Sequence, residues 1–391
     1  MQSFHEWYNQ HKNNCTCGRE HEPLPTEVFE IGSGILEKLP PFLNKKQLSR
    51  PHVVYDKHTK KAAGEAVETL LDKAGINYTV SLVPENEQED VLADEHAIMH
   101  VLVEAPAEAD CMIAVGAGTL HDITRFASYK MGIPFLSVPT APSVDGFNSK
   151  GAPIVMNKVK KTYQTQAPIG LFAEIDILVE APQAMVAAGF ADMLGKYTSL
   201  ADWKFSRLTA DEPFCDASYH MTKEALENCV NHAEKIAVRD AAGMEYLIAA
   251  LIQSGMAMSL FGHSHPASAA EHHLSHFWEM KFLKEDRKQL LHGEKVGAAC
   301  GIIAEHYHNN KQWIIDNSPA KEQNSVADIL EEIPSGEEVR RILKLVGGKT
   351  TAEELGIAQS WVEEGLQEAH HIRDRHTMLR LLNEQKRASN T

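Results

Sequence analysis

In Cys111-Met112-Ile113-Ala114-Val115-Gly116-Ala117-Gly118-Thr119-Leu120-His121-Asp122, an apolar run passes directly into a glycine turn and then into a helical pattern that lasts to Lys130. A short apolar run bounded by turn residues reads as a buried strand. Without side chains at 116 and 118 the backbone can come close to a ligand, and the N–H groups of a helix N-terminus can hold a pyrophosphate. The third glycine of G-x-G-x-x-G is missing, because His121 stands there. The loop also follows the third predicted strand, whereas the ordinary dinucleotide fingerprint sits at the first βα turn. A plain tight turn is therefore the alternative.

Working outward, His52–Asp56, Tyr78–Val83 and Pro134–Val138 read as further strands, and Thr59–Ala74 and Asp94–Val103 as helices between them. This alternation predicts a parallel sheet with crossover helices. The fourth predicted strand ends in Pro139-Thr140-Ala141-Pro142-Ser143, a second small-residue turn. Ligands of open α/β sheets bind at the carboxyl ends of strands. Asp56, at the end of the first predicted strand, is placed to accept hydrogen bonds from a ribose, and its charge would repel a 2′-phosphate, which leans towards NAD over NADP. An exposed surface carboxylate is the other reading of Asp56.

Beyond about residue 180 the pattern becomes helical, with candidates at 184–208, 218–237, 243–261, 267–282, 294–309, 336–346 and 357–384, and a polar surface loop at 317–324. The expected organisation is an α/β nucleotide-binding domain with an N-terminal extension at 1–180, and an all-helical metal- and substrate-binding domain at 181–391. A length of 391 residues fits two domains, or three, at about 150 residues each. With 38 Lys and Arg against 54 Asp and Glu, the net charge of −16 excludes a general nucleic-acid binder, which needs a basic face. Any phosphate must be held locally. The polar start, Met1–Asn14, has no signal-peptide core, and the uncharged run near 246–270 is interrupted by polar residues, as in a buried helix rather than a membrane span. Six cysteines without a disulfide pattern point to the cytoplasm. Cys15-Thr16-Cys17-Gly18 with His21 supplies two thiols and an imidazole, which hold Zn²⁺ only if a fourth ligand comes from elsewhere; an unremarkable extension is the alternative.

Among 21 histidines, those in Glu271-His272-His273-Leu274-Ser275-His276 stand out, because 272 and 276 share one helical face. His292-Gly293-Glu294 opens another helical pattern, and Gly189-Phe190-Ala191-Asp192 sets a carboxylate in an apolar stretch. Buried carboxylates are paired or bind metals. One Asp and two His make a three-ligand site with an open position, suited to polarising a substrate oxygen. Hydrogen-bonded interior histidines and a helix-capping Asp are the competing reading.

Together, Gly116-x-Gly118-Thr119-x-x-Asp122, Pro139-Thr140-Ala141-Pro142-Ser143-Val144-Asp145-Gly146-Phe147, Gly189-x-x-Asp192, Pro266-Ala267-Ser268-x-x-Glu271-His272-x-x-x-His276 and His292-Gly293-Glu294 resemble the metal-dependent polyol dehydrogenase family. That family includes glycerol dehydrogenase and is related in fold to dehydroquinate synthase. The likeness is strongest to members that reduce dihydroxyacetone phosphate to sn-glycerol 1-phosphate for lipid synthesis. It implies that Gly118, Thr119, Leu120, His121 and Asp122 line the NAD(P) diphosphate site, completed by Thr140, Ala141, Pro142, Ser143 and Ser149. Asp145 would bind substrate. Asp192, His272 and His292 would hold one divalent ion, Zn²⁺ in most of the family and Ni²⁺ in bacterial relatives. Asp192 and His276 would also touch substrate, so that Asp192, His272 and His276 form the catalytic set. Lys150 and Lys196, beside matched motifs, are candidates for the phosphate. A homodimer is implied. The chain departs from the common pattern at Ala117, and at Ala269-Ala270 where Gly-Ser is usual. A glycerol dehydrogenase acting on unphosphorylated polyols and a dehydroquinate-synthase-like cyclase are the rival activities.

Overall fold

The computed structural model describes residues 3–389. Eight strands occur among them: β1 (Val28–Gly32), β2 (Pro51–Tyr55), β3 (Thr79–Leu82), β4 (Cys111–Gly116), β5 (Phe135–Pro139), β6 (Gly151–Met156), β7 (Val159–Gln164) and β8 (Gly170–Glu174). Six of them form one parallel sheet in the order β1-β8-β5-β4-β2-β3. The four central strands β2, β4, β5 and β8 are buried throughout. This explains their near-continuous apolar character, since helices cover both faces of a parallel sheet.

The chain runs outward from β2 to β3 and then returns to the other side of β2 as β4, so β2 and β4 flank a switch in strand direction. A crevice of this kind, at the carboxyl ends of the strands, is where open α/β sheets bind ligands. The glycine turn leaves β4 there, and Asp56 leaves β2 beside it.

β4 is the fourth strand along the chain and not the third, because β1 precedes the strands that sequence patterning picks out. β1 is a half-buried edge strand that follows two prolines, Pro23 and Pro25, so its apolar pattern is weak. β8 was also not anticipated. Nor was the antiparallel β6–β7 hairpin, whose second strand is the polar Val159-Lys160-Lys161-Thr162-Tyr163-Gln164. Its two-residue turn, Asn157-Lys158, has φ of 51° and 60°, the mirror-image geometry that matches the twist of a hairpin.

From Gln183 onward the described chain is helical. The helix Ala241–Phe261 is long and apolar enough to cross a membrane, but it is a core helix, 72% buried. The pattern predicted as one helix over 184–208 is two, Gln183–Leu194 and Lys196–Ala210, which meet at Gly195. The predicted 357–384 helix is likewise split into Gln359–Glu368 and Met378–Ser389. Buried Asp202 accepts the N–H of Met378 at 2.9 Å and the hydroxyl of Tyr307 at 3.0 Å, fixing where the last helix starts. The 317–324 loop holds a 3-10 turn at Ala320–Glu322 and runs into a helix at Gln323. At the other end of the chain, the capped helix Phe4–Asn13 docks on the helical half, where Trp7 Nε1 donates to Glu224 at 3.0 Å.

Candidate active site

Two close approaches bring the sheet edge and the helices together. A Cβ on Gly189 would lie 1.8 Å from the carbonyl oxygen of Pro142, so glycine lets the helix Gln183–Leu194 press against the loop after β5. A Cβ on Gly293 would lie 1.8 Å from the carbonyl oxygen of Ala188, so the first turn of His292–Asn309 also rests on that helix. In consequence Asp192, His272 and His292 offer ligand atoms that all lie within 4.8 Å of one another.

Asp192 is completely buried. Its Oδ2 accepts the N–H of Asp145 at 3.0 Å, and its Oδ1 lies 3.5 Å from His272 Nε2. Burial alone would raise the Asp192 carboxyl, but the Lys196 ammonium and the hydrogen bond with His272 hold it well below the usual carboxylate range. His272 Nδ1 is 2.7 Å from Glu271 Oε1, which leaves Nε2 facing Asp192. A carboxylate on the far nitrogen fixes the tautomer and ring orientation of a metal-binding histidine. Glu271 is itself held by the N–H of Ala269 at 2.8 Å and by Thr198 Oγ1 at 2.7 Å. The buried Nδ1 of His292 has no hydrogen-bond partner among the described residues, and burial keeps that ring neutral. One carboxylate and two imidazole nitrogens around a common point fit a divalent ion with an open coordination position.

His276 stands one helical turn beyond His272, with its ring centroid 5.7 Å from that of His292. Its Nδ1 is bonded to Glu279 at 3.0 Å, and burial pushes its pKa down to about 3, so the ring is neutral. Lys160, at 3.0 Å, and Lys295, at 3.5 Å, also face Glu279. Asp145 accepts from Ser254 Oγ at 2.8 Å and pairs with Lys196 at 2.8 Å; burial and the Asp192 charge push its carboxyl up.

Lys196, considered above for the phosphate, is completely buried, and its ammonium faces Asp145, Asp192 at 3.2 Å and the carbonyl of Ala267 at 3.2 Å. With three protons and three acceptors it has no donor left for a phosphate. Lys150 points away and pairs with Glu22 at 2.5 Å.

On the sheet side, Gly116 and Gly118 leave room for packing as well as for a ligand. A Cβ on Gly116 would meet Leu120 Cδ1 at 2.3 Å, and one on Gly118 would meet Val144 at 2.9 Å. The Gly118–Met131 helix points its first turn at this edge. The His121 ring faces inward, with Nε2 2.7 Å from Ser137 Oγ and Nδ1 2.9 Å from the carbonyl of Ala117. Asp122 pairs at 2.6 Å with the buried Arg125, which also donates to the carbonyls of Gly146, Phe147 and Gly151 and so ties the helix to the loop after β5. Within that loop the N–H of Thr140 bonds the carbonyl of Gly116 at 3.0 Å, Ala141 is buried, Ser143 is buried, and Ser149 Oγ bonds Gly146 at 3.3 Å. Asp56 caps the helix that follows β2, its Oδ1 accepting from His58 at 2.8 Å and Thr59 at 2.7 Å.

Arg125, Glu271 as the partner of His272, Ser254 and Glu279 were not singled out from sequence. Glu271 had a signal in its position next to His272, and Lys196 had one in being four residues after Asp192 on a helix. Arg125 and Glu279 stand three residues from Asp122 and His276 on the same helices, while Ser254 meets Asp145 across 109 residues. A cavity of about 790 Å³ opens among segments 84–97, 155–158 and 283–289, lined by Glu85, Asp90, Asp94 and Asp286 together with Lys158, Arg287 and Lys288.

A parallel sheet whose glycine turn faces a carboxylate and two imidazoles on helices is the layout of the metal-dependent alcohol dehydrogenases. The family described as iron-containing alcohol dehydrogenase matches residues 30–182. The crystal structure of an iron-containing alcohol dehydrogenase from Corynebacterium glutamicum superposes with a TM-score of 0.69 over 93% of this chain and 95% of that one, at 14% identity. The glycerol-1-phosphate dehydrogenase [NAD(P)+] of Geobacillus stearothermophilus is 47% identical over 386 residues, 95% of each chain. That of Halalkalibacterium halodurans is 46% identical over 387 residues, covering 96% of this chain and 97% of that one. The chain belongs to the glycerol-1-phosphate dehydrogenase family.

Proposed function

We propose that this protein catalyses the reversible, NAD(P)H-dependent reduction of dihydroxyacetone phosphate to sn-glycerol 1-phosphate, supplying a backbone for lipid synthesis. The observation that carries the reading is the convergence of Asp192, His272 and His292 within 4.8 Å, against the loop that follows β5. The activity named for relatives at 46–47% identity supports the substrate and cofactor.

In this reading residues 1–180 hold the nucleotide and 181–391 the metal and substrate. The residues Gly118 to Asp122 of the Gly118–Met131 helix line the diphosphate, with the N–H groups of Gly118, Thr119 and Leu120 aimed at it, and Thr140–Ser143 with Ser149 flank it. Gly116 and Gly118 let that backbone come close. Asp56 is assigned to the ribose. Asp192, His272 and His292 hold the ion, which when bound polarises the ketone oxygen as a Lewis acid. Asp145, fixed by Ser254 and Lys196, binds a substrate hydroxyl. With Nδ1 fixed on Glu279, His276 offers Nε2 to the substrate and can accept or return a proton there. Two nitrogens and one oxygen suit Ni²⁺ and Zn²⁺ alike. A homodimer is taken from the family resemblance, and six cysteines without a disulfide pattern suit the cytoplasm.

The test is NADH oxidation by metal-stripped protein reloaded with Ni²⁺ or Zn²⁺. Activity should return with the ion and be much greater with dihydroxyacetone phosphate than with dihydroxyacetone. The reverse preference would make it a glycerol dehydrogenase, and turnover without an ion would remove the metal from the reaction.

A further inference from the structure

A second cluster of metal-binding side chains is built from other residues and is unlike the first in chemistry. Cys15, Cys17 and His21 lie on the strap after the first helix, and Cys215 immediately precedes the helix Asp216–Asn231. Their ligand atoms all lie within 4.8 Å of one another. His21 Nε2 is 3.2 Å from Cys15 Sγ, 3.3 Å from Cys17 Sγ and 3.6 Å from Cys215 Sγ, and the Cys15 and Cys215 sulfurs are 3.5 Å apart. A tetrahedron with metal–sulfur bonds of about 2.3 Å and a metal–nitrogen bond of about 2.0 Å has edges of about 3.5–3.8 Å. The four atoms therefore already stand close to the corners of a zinc coordination sphere.

We propose that Cys15, Cys17, His21 and Cys215 form a closed, structural zinc site that staples the N-terminal strap to the helical half. The surroundings are those of a metal site. His21 Nδ1 is 2.8 Å from the carbonyl of Leu260, which fixes the tautomer and turns the lone pair of Nε2 towards the thiols. The N–H of Ser218 reaches Cys215 Sγ at 3.4 Å and stabilises a thiolate at the start of the helix. Gly18 has φ of +73°, a turn that brings the chain back so that His21 faces the two cysteines before it. Four protein ligands leave no open position, which makes the site structural rather than catalytic.

The staple has a definite mechanical role. Between Cys17 and His21, the strap bonds the carbonyl of Phe261 through Arg19 at 3.5 Å, with the guanidinium 4.6 Å from the Phe261 ring centroid. Leu260 and Phe261 end the helix that presents Ser254 to Asp145. The zinc site thus anchors the end of one helix that supports the substrate side of the cleft.

The experiment is metal analysis of the full-length protein purified under reducing conditions with zinc present, together with His272→Ala, Cys17→Ser and Cys215→Ser. Wild type should carry one zinc per subunit beyond the catalytic ion. The cysteine variants should lose that zinc only, His272→Ala should keep it, and Cys17→Ser should melt about 5 °C or more below wild type. Cobalt reloaded into wild type should show a thiolate-to-metal charge-transfer band in the near ultraviolet, which decides the matter even if Cys215→Ser fails to fold. The proposal is overturned if wild type binds no metal beyond the one lost in His272→Ala, if cobalt shows no thiolate band, or if the cysteine pair is found as a disulfide and zinc does not bind on reduction. Because none of these readouts is turnover, a failure here is distinct from a failure of the dehydrogenase assignment.

Discussion

The two walls of the cleft use the same residue types for opposite purposes. On the sheet wall, titratable side chains turn inward and are consumed by packing: His121 bonds Ser137, and Asp122 pairs with Arg125. In the proposed reading that wall meets the nucleotide chiefly through backbone, at a glycine turn and a helix N-terminus, with Asp56 the exception. On the helical wall, Asp192, His272, His276 and His292 converge, and the chemistry is in side chains. Burial drives both, and the difference is in the partners. His121 has both nitrogens satisfied by sheet and helix, whereas His272 has Nδ1 held by Glu271 at 2.7 Å and turns Nε2 to Asp192 at 3.5 Å, beside His292.

The largest effect should come from breaking the helical wall itself. His272→Ala should cost at least about a thousandfold in kcat/KM, because polarising a ketone oxygen is worth several kcal/mol. Its circular dichroism should match wild type, and its bound-metal content should fall. Unchanged activity would remove His272 from the site. The next largest effect should come from forcing the walls apart. Gly189→Ala puts a methyl group where the Pro142 carbonyl stands, 1.8 Å from the new carbon, so either the loop or the helix must move. Displacing reacting groups by about 1 Å costs about a hundredfold, and steady-state kinetics should show kcat falling while far-UV dichroism stays close to wild type. A variant with full activity would show that the contact is not what sets the distance between the walls.

Legibility followed the same division. The sheet wall was readable where apolar strands run into small-residue turns, as at Val115-Gly116 and Val138-Pro139, because local periodicity records burial on both faces. β1 and β7 were not, since an edge strand and an exposed hairpin leave half their residues in water and blur the alternation. On the helical wall, Asp192, His272 and His292 were picked out by spacing and by resemblance, and the structure brings their ligand atoms together. Glu271 and Lys196 had a signal in their positions beside these residues, but contacts made across the chain had none. Ser254 reaches Asp145 across 109 residues, and Cys215 meets Cys15 across 200, so no local pattern announces either contact. Lys196 shows the limit of adjacency: a lysine beside a functional motif looked available for phosphate, but two buried carboxylates had already claimed it.

The smallest effect should come from a sheet-wall histidine with no chemical task. His52, in β2, is completely buried between Thr79 Oγ1 at 2.8 Å and Ser81 Oγ at 2.9 Å. Burial lowers its pKa to about 4, below the ordinary value of about 6.5 that it regains when unfolded. Between those two values the unfolded chain takes up a proton that the folded chain refuses, so stability is lost as pH falls from about 6.5 to about 4 and the contribution is flat on either side. The two-and-a-half-unit gap corresponds to about 3 kcal/mol at most. Denaturant unfolding of His52→Gln should show a shallower loss over that window, by up to one proton, with kcat at pH 7 unchanged. An unaltered pH slope would mean that His52 is already protonated or solvated in the folded protein. A fall in kcat would mean that the sheet wall reaches into the chemistry after all, and that the division between a wall of backbone and a wall of side chains does not hold.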